Sequence, residues 1–191
     1  MLSYLIFLGA AANIFGAGVY LRDTIRGTTK PNRVTWFLWT AGPLTAAAAA
    51  FAAGGGWSVL PILVNGICSL TIFIASIACK QAFWRLGLLD YLCGVFSVAA
   101  LVLWLITKEP AVAVFFAVLT DLFAAFPTLT KAWKHPQTET SIDYAMGAFS
   151  AVTTFFAITT LNFSTIAFPL YIVLMDLTLM FFIERKRFRR A

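Results

Sequence analysis

The chain has 191 residues, 61% of them hydrophobic and 12% charged, with mean hydropathy +0.87. A soluble domain carries about 25% charged residues, and a water-soluble fold of this size has nowhere to hide so much apolar surface, so an integral membrane protein is expected. The net charge of +6 does not point to nucleic acid, because the cations gather at the ends of apolar runs, where membrane topology is written.

The first apolar run, 2–21, has no Lys or Arg before it and Arg22, Arg26 and Lys30 after it. That asymmetry argues against a cleaved signal peptide and places the N-terminus outside. A second run, 34–53, is separated from a third, 57–79, by Gly54-Gly55-Gly56. Four more follow at 88–107, 111–131, 143–161 and 163–183. Each is near the ~20 residues that a span needs. Lys108-Glu109-Pro110 breaks the fourth run from the fifth, with Pro110 suited to a first helical turn.

Seven spans put the C-terminus in the cytoplasm. The inside segments are then 22–33, 80–87, 131–142 and 184–191, and they hold 13 of the 14 basic residues, leaving only Lys108 outside. This is the distribution the positive-inside rule demands. The tail "RKRFRR", 185–190, reads as an inside anchor for anionic lipid. The plasma membrane, or the inner membrane of a bacterium, is the expected location.

Sliding the chain along itself by 108 residues sets "NIFGAGVYLRDTI" (13–25) on "DLFAAFPTLTKAW" (121–133), and Pro61 on Pro169. Both halves run helix, basic loop, helix, short loop, helix. The predicted fold is an all-α membrane protein of two parallel three-helix repeats, 1–79 and 108–191, joined by a linker helix within 80–107. Interior prolines mark candidate bends, Pro43 in the second span and Pro127 in the fifth.

Polar residues at membrane depth are the functional candidates, because an unpaired one is costly there. Asn13 and Asp121 are repeat mates near mid-span and are expected to face each other across a central cavity. Asp176 lies mid-span in the seventh helix, with Cys68 as its mate, and Asn65 precedes Gly66 in the third. Trp36 and Trp39 stand one turn apart at the inner end of the second helix, where interfacial tryptophans also collect. Each of these has a packing alternative, a hydrogen bond or close contact that merely fixes neighbouring helices. Cys68, Cys79 and Cys93 have no metal or redox spacing and read as free thiols. No metal and no cofactor is expected.

The stretch "PTLTKAWKHPQTETSIDYAMGAFS", a late helical proline followed by basic residues and a Ser/Thr-rich turn, resembles the signature of the SWEET and PQ-loop transporter superfamily. "VNGICSLTIFI" (64–74) is similar to that family's third-helix Asn-Gly segment. The resemblance covers nearly the whole chain. Val19, Ala151 and Val173 occupy places where the family carries Pro, Pro and Asn, and "PNRVTWFLW" (31–39) stands where the first PQ dipeptide would be. The resemblance implies alternating-access transport of a small polar solute, with a sugar first, and Asn65 as a substrate contact.

Interior carboxylates also suit the proton-coupled amino-acid or cation carriers of the same superfamily. The W-x-x-W pair resembles the PnuC vitamin transporters, and the KDEL receptors share the helix layout while acting as binding proteins. The partners expected are a small-molecule substrate and the bilayer, and a homo-oligomer is compatible with either. An enzyme is not expected. Asp121 and Asp176 lack the Tyr-Asp and Gly-x-Gly-Asp contexts of intramembrane aspartyl proteases, and no HExxH, GxSxG or phosphate loop is present.

Overall fold

The computed structural model describes residues 4–52, 59–82, 84–107, 109–158 and 160–188. Gly54-Gly55-Gly56, Lys108, Arg189 and Arg190 lie outside the described residues. Those described form seven α-helices and no strand: α1 Leu5–Ile25, α2 Arg33–Ala52, α3 Leu60–Ala78, α4 Leu88–Ile106, α5 Pro110–Lys134, α6 Ser141–Phe155 and α7 Phe163–Phe188. Among the described residues, four segments are long and apolar enough to cross a membrane: Leu5–Ile25, Leu60–Ala78, Val114–Lys134 and Phe163–Arg185. Large apolar side chains face outward all round the bundle, among them Phe7 and Phe15 on α1, Ile74 on α3, Phe96 on α4 and Phe181 on α7. Contiguous exposure on that scale suits lipid rather than water.

The helix ends follow local chemistry. α1 runs four residues past its apolar stretch, and Gly27, at φ +76°, closes it in the left-handed conformation glycine tolerates. Asn32 Oδ1 accepts the backbone N–H groups of Val34 (3.1 Å) and Thr35 (3.3 Å), capping α2. Its Nδ2 donates to Asp90 Oδ1 at 2.6 Å, fastening the start of α4 beside the start of α2. α6 stops at Phe155, short of the expected 161. Thr153 and Thr154 hydroxyls both donate to the Ser150 carbonyl, and the next backbone bonds tighten to Phe156 N–H on Thr153 and Ala157 N–H on Thr154. α7 continues to Phe188, beyond the expected 183, where the Arg185 guanidinium lies 3.7 Å over the Trp133 ring.

Helix α3 packs between α1 and α2, whose backbones do not run side by side and which meet through Tyr20 and Trp36, and α7 packs against both α5 and α6. The two triples meet where α1 lies along α6 and α2 along α5, and α4 packs on α5 and α2. The α1–α6 seam depends on small residues. A Cβ on Gly9 would meet Ser150 Cα at 3.2 Å, and one on Gly16 would meet Asp143 Cα at 3.0 Å. Among the largest fully buried side chains, all but Val59 sit in the half of the bundle nearest the loops at 26–32, 79–87 and 135–140.

Candidate functional site

Two polar pairs lie within the triples. Asn13 of α1 donates Nδ2 to Asn65 Oδ1 of α3 at 3.3 Å. In the second triple, Tyr171 of α7 donates its hydroxyl to Asp121 Oδ2 of α5 at 2.8 Å. The structure thus joins Asn13 to Asn65, not to Asp121. Among the described residues α1 and α5 do not pack side by side, because α6 and α3 take the packing faces of α1. The indole N–H of Trp39 is buried without a hydrogen-bond partner, and the Asp121 carboxyl is the acceptor it faces.

Below these pairs the interior is lined with carboxyls. Asp176 of α7 lies within electrostatic range of both Asp121 and Asp143, and Asp143 within range of Glu139. Gly147 of α6 makes room for Asp176, since a methyl group there would collide with Asp176 Oδ2. Cys68 of α3 lies within electrostatic range of Asp143. These groups come from both triples.

An aromatic and ionic cluster closes the end that carries the basic loops. Trp36 and Trp39 meet edge to face with ring centroids 5.2 Å apart, Tyr20 lies 4.8 Å from Trp36, and Tyr144 lies 6.4 Å from Trp39. The Trp36 indole donates to the Tyr20 hydroxyl at 3.3 Å, and Tyr20 donates to Glu139 Oε2 at 2.7 Å. Tyr144 donates to the same oxygen at 3.0 Å. Glu139 Oε1 pairs with Lys131 Nζ at 2.6 Å, and the two side chains are 0% and 1% exposed. Lys131 also donates to the Lys30 carbonyl and lies 4.9 Å from the centroid of Trp84.

Of the sequence candidates, Asn13 and Asn65 form one pair, Asp121 and Asp176 belong to the carboxyl-lined interior, and Trp36 and Trp39 stand between that interior and the ionic cluster. Pro43 and Pro127 lie inside α2 and α5, both continuous helices. Pro127 is fully buried at the seam between the triples. Nearby, Thr35 Oγ1 of α2 donates to the Ala124 carbonyl at 2.7 Å and accepts from Thr128 Oγ1 at 3.0 Å.

Sequence reasoning missed Tyr20, Lys131, Glu139, Asp143, Tyr144 and Tyr171. Lys131 and Glu139 sit among loop charges, and nothing in their spacing shows that they are buried. Tyr171 had a usable signal: it precedes by two residues the position, 173, where the second repeat lacks the counterpart of Asn65. His135 is exposed, with its ring 5.6 Å from that of Trp84. The described cysteines are all free, and no cluster of metal-ligating side chains occurs among the described residues. No family model matches the chain, nor does any curated protein or solved structure.

Proposed function

We propose that this chain is a seven-span membrane transporter that moves a small polar solute by alternating access between two three-helix repeats, α1–α3 and α5–α7, with α4 as linker. The reading keeps the resemblance to the SWEET and PQ-loop superfamily and its first choice of a sugar-like solute. One observation carries it: interhelical contacts recur at an offset of 108 residues. Arg33 at the start of α2 donates to the Ser76 carbonyl at the end of α3 (2.7 Å), and Ser141 at the start of α6 donates to Glu184 on α7 (2.5 Å). Each residue of the second pair is 108 beyond its counterpart. Thr35 of α2 meets Ala124 of α5, and their mates Asp143 and Gly16 meet across α6 and α1. At the mate positions 13 and 121, each triple carries a polar bond from its first helix to its third.

Parallel repeats of this kind favour a substrate site near the midplane where they meet. The residues assigned to it are Asn13, Asn65, Asp121 and Asp176, with Trp36 and Trp39 on the inner side. Pro43 and Pro127 are assigned to the bending of α2 and α5. The gathering of basic residues at one end of the bundle favours an N-terminus outside and a cytoplasmic C-terminus. Purified protein in vesicles should speed the flux of at least one member of a panel of sugars, amino acids and organic cations. A panel that crosses no faster than in protein-free vesicles sinks the reading.

A second reading has its own observation. Asp176 lies within electrostatic range of both Asp121 and Asp143, and three carboxyls so close together suit a proton-coupled carrier of amino acids or cations better than a neutral sugar pore. Uptake that requires an imposed pH gradient would select it.

A further inference from the structure

We propose that Lys131, Glu139, Tyr20 and Tyr144 form a latch that holds the basic-loop end of the bundle shut and must open to admit water or solute to the interior from that face. The proposal deepens the transport reading and rests on it for its purpose, though not for its test.

The latch ties together parts that alternating access would have to separate. Glu139, in the loop before α6, accepts from Tyr20 on α1 and Tyr144 on α6. Its ion pair holds Lys131 on the last turn of α5, and Lys131 in turn donates to the Lys30 carbonyl after α1. Lys30 N–H donates to the Thr138 carbonyl at 3.0 Å, so the two loops are also joined directly. Trp84, before α4, covers the lysine. Asp90 and Lys30 are the other charged groups within electrostatic range of Lys131. First triple, second triple and the segment leading to α4 therefore converge on one buried charge pair.

The chemistry fits a closure that opens better than one that only stabilises. A buried ion pair is roughly break-even against an apolar replacement, so stability alone does not call for it. An apolar plug loses its burial when water enters, with nothing in return. An ion pair regains hydration of both charges, so opening is less costly. The neighbouring parts allow movement: Lys131 lies one turn beyond Pro127 on α5. Outside the latch a cavity of about 250 Å³ is lined by Asp23, Thr29, Gln137, Thr140 and Glu184 among others. On the bundle side, half-buried Cys68 packs against the core cluster that includes Tyr20, Trp36 and Tyr144, with Asp143 within electrostatic range.

Native Cys68 gives a reporter that needs no known solute. In a Cys79→Ser, Cys93→Ser background, vesicles of both orientations are treated with a membrane-impermeant thiol reagent. With the latch intact, Cys68 should react slowly from the basic-loop face. Lys131→Met with Glu139→Gln removes both charges together, so neither is left buried alone. Labelling from that face should then rise roughly tenfold or more as the open population grows. Tyr20→Phe with Tyr144→Phe keeps the ion pair and should give a smaller rise from the same face. Unchanged Cys68 labelling in either variant, once it is monodisperse and fully helical, overturns the latch. If the charge-removal pair does not fold, the tyrosine pair decides alone by the same criterion. Raised labelling in a protein that moves no solute keeps the latch and sinks the transport reading. Unchanged labelling in a protein that does move solute sinks the latch alone.

Discussion

At the scale of single residues, Asp121 carries the sharpest question. Its carboxyl accepts the Tyr171 hydroxyl and faces the unpaired indole N–H of Trp39. In a uniporter it need only hydrogen-bond. Asp121→Asn keeps an oxygen to accept from Tyr171, and facilitated flux should survive with little dependence on pH. In a proton-coupled carrier the same change removes the site that loads and releases the proton, so gradient-driven uptake is lost while equilibrium exchange continues. The expected outcome is survival, because the equivalent position in the first triple works with neutral Asn13 bonded to neutral Asn65. Loss of accumulation with intact exchange would reverse that choice. Asn13, Asn65, Asp121 and Asp176 were legible because a polar residue in an apolar run has no inconspicuous place to be. Their partners were not legible. Which side chain meets Asp121 depends on the rotation of α7 about its axis, and no single-helix pattern sets that.

At the scale of elements, the seam between α1 and α6 and the proline in α5 each support a prediction. Gly16 has Asp143 Cα and the Met146 side chain where its own Cβ would be, and backbone cannot move aside as a side-chain tip can. Gly16→Ala should destabilise the bundle by about 1–3 kcal/mol, as overpacking does, read as a lower melting temperature in detergent. Gly18→Ala on the same helix meets nothing within 4 Å and should melt like the parent. Equal melting of the two variants would mean that α1 does not pack on α6 as described. Pro127→Ala restores a helical N–H at the buried seam where Thr35 bonds Ala124 and Thr128. If α5 bends there during transport, flux should fall while expression and solute binding persist. Unchanged flux would leave Pro127 as packing only. Element existence was readable from apolar runs, and element ends were less so. α6 ends early through bonds from Thr153 and Thr154 to the Ser150 carbonyl, and hydropathy does not register a hydroxyl turned back on its own helix.

At the scale of the whole molecule, the expected arrangement depends on all seven helices crossing, yet among the described residues only four segments are long and apolar enough to do so by themselves. α6, at 15 residues, is about 22 Å long at the helical rise, short of the ~30 Å hydrocarbon core. A short helix can still cross when its neighbours are full length, because the turn at Phe156–Ile158 and the start of α7 extend the path within the bundle. The alternative is that α6 is re-entrant, which would place 109 and 160 on opposite faces. Single cysteines decide between them in a background with Cys68, Cys79 and Cys93 replaced by Ser. Cysteines at 109 and 160, beyond the ends of α4 and α6, should label from outside intact cells. Cysteines at 85, in the loop before α4, and at 134, the last residue of α5, should label only after permeabilisation. Labelling of 160 from the same face as 134 would mean that α6 turns back. That result would put α7 in the opposite direction from α3 and end the parallel-repeat reading, because residues 108 apart would no longer lie at matching depths.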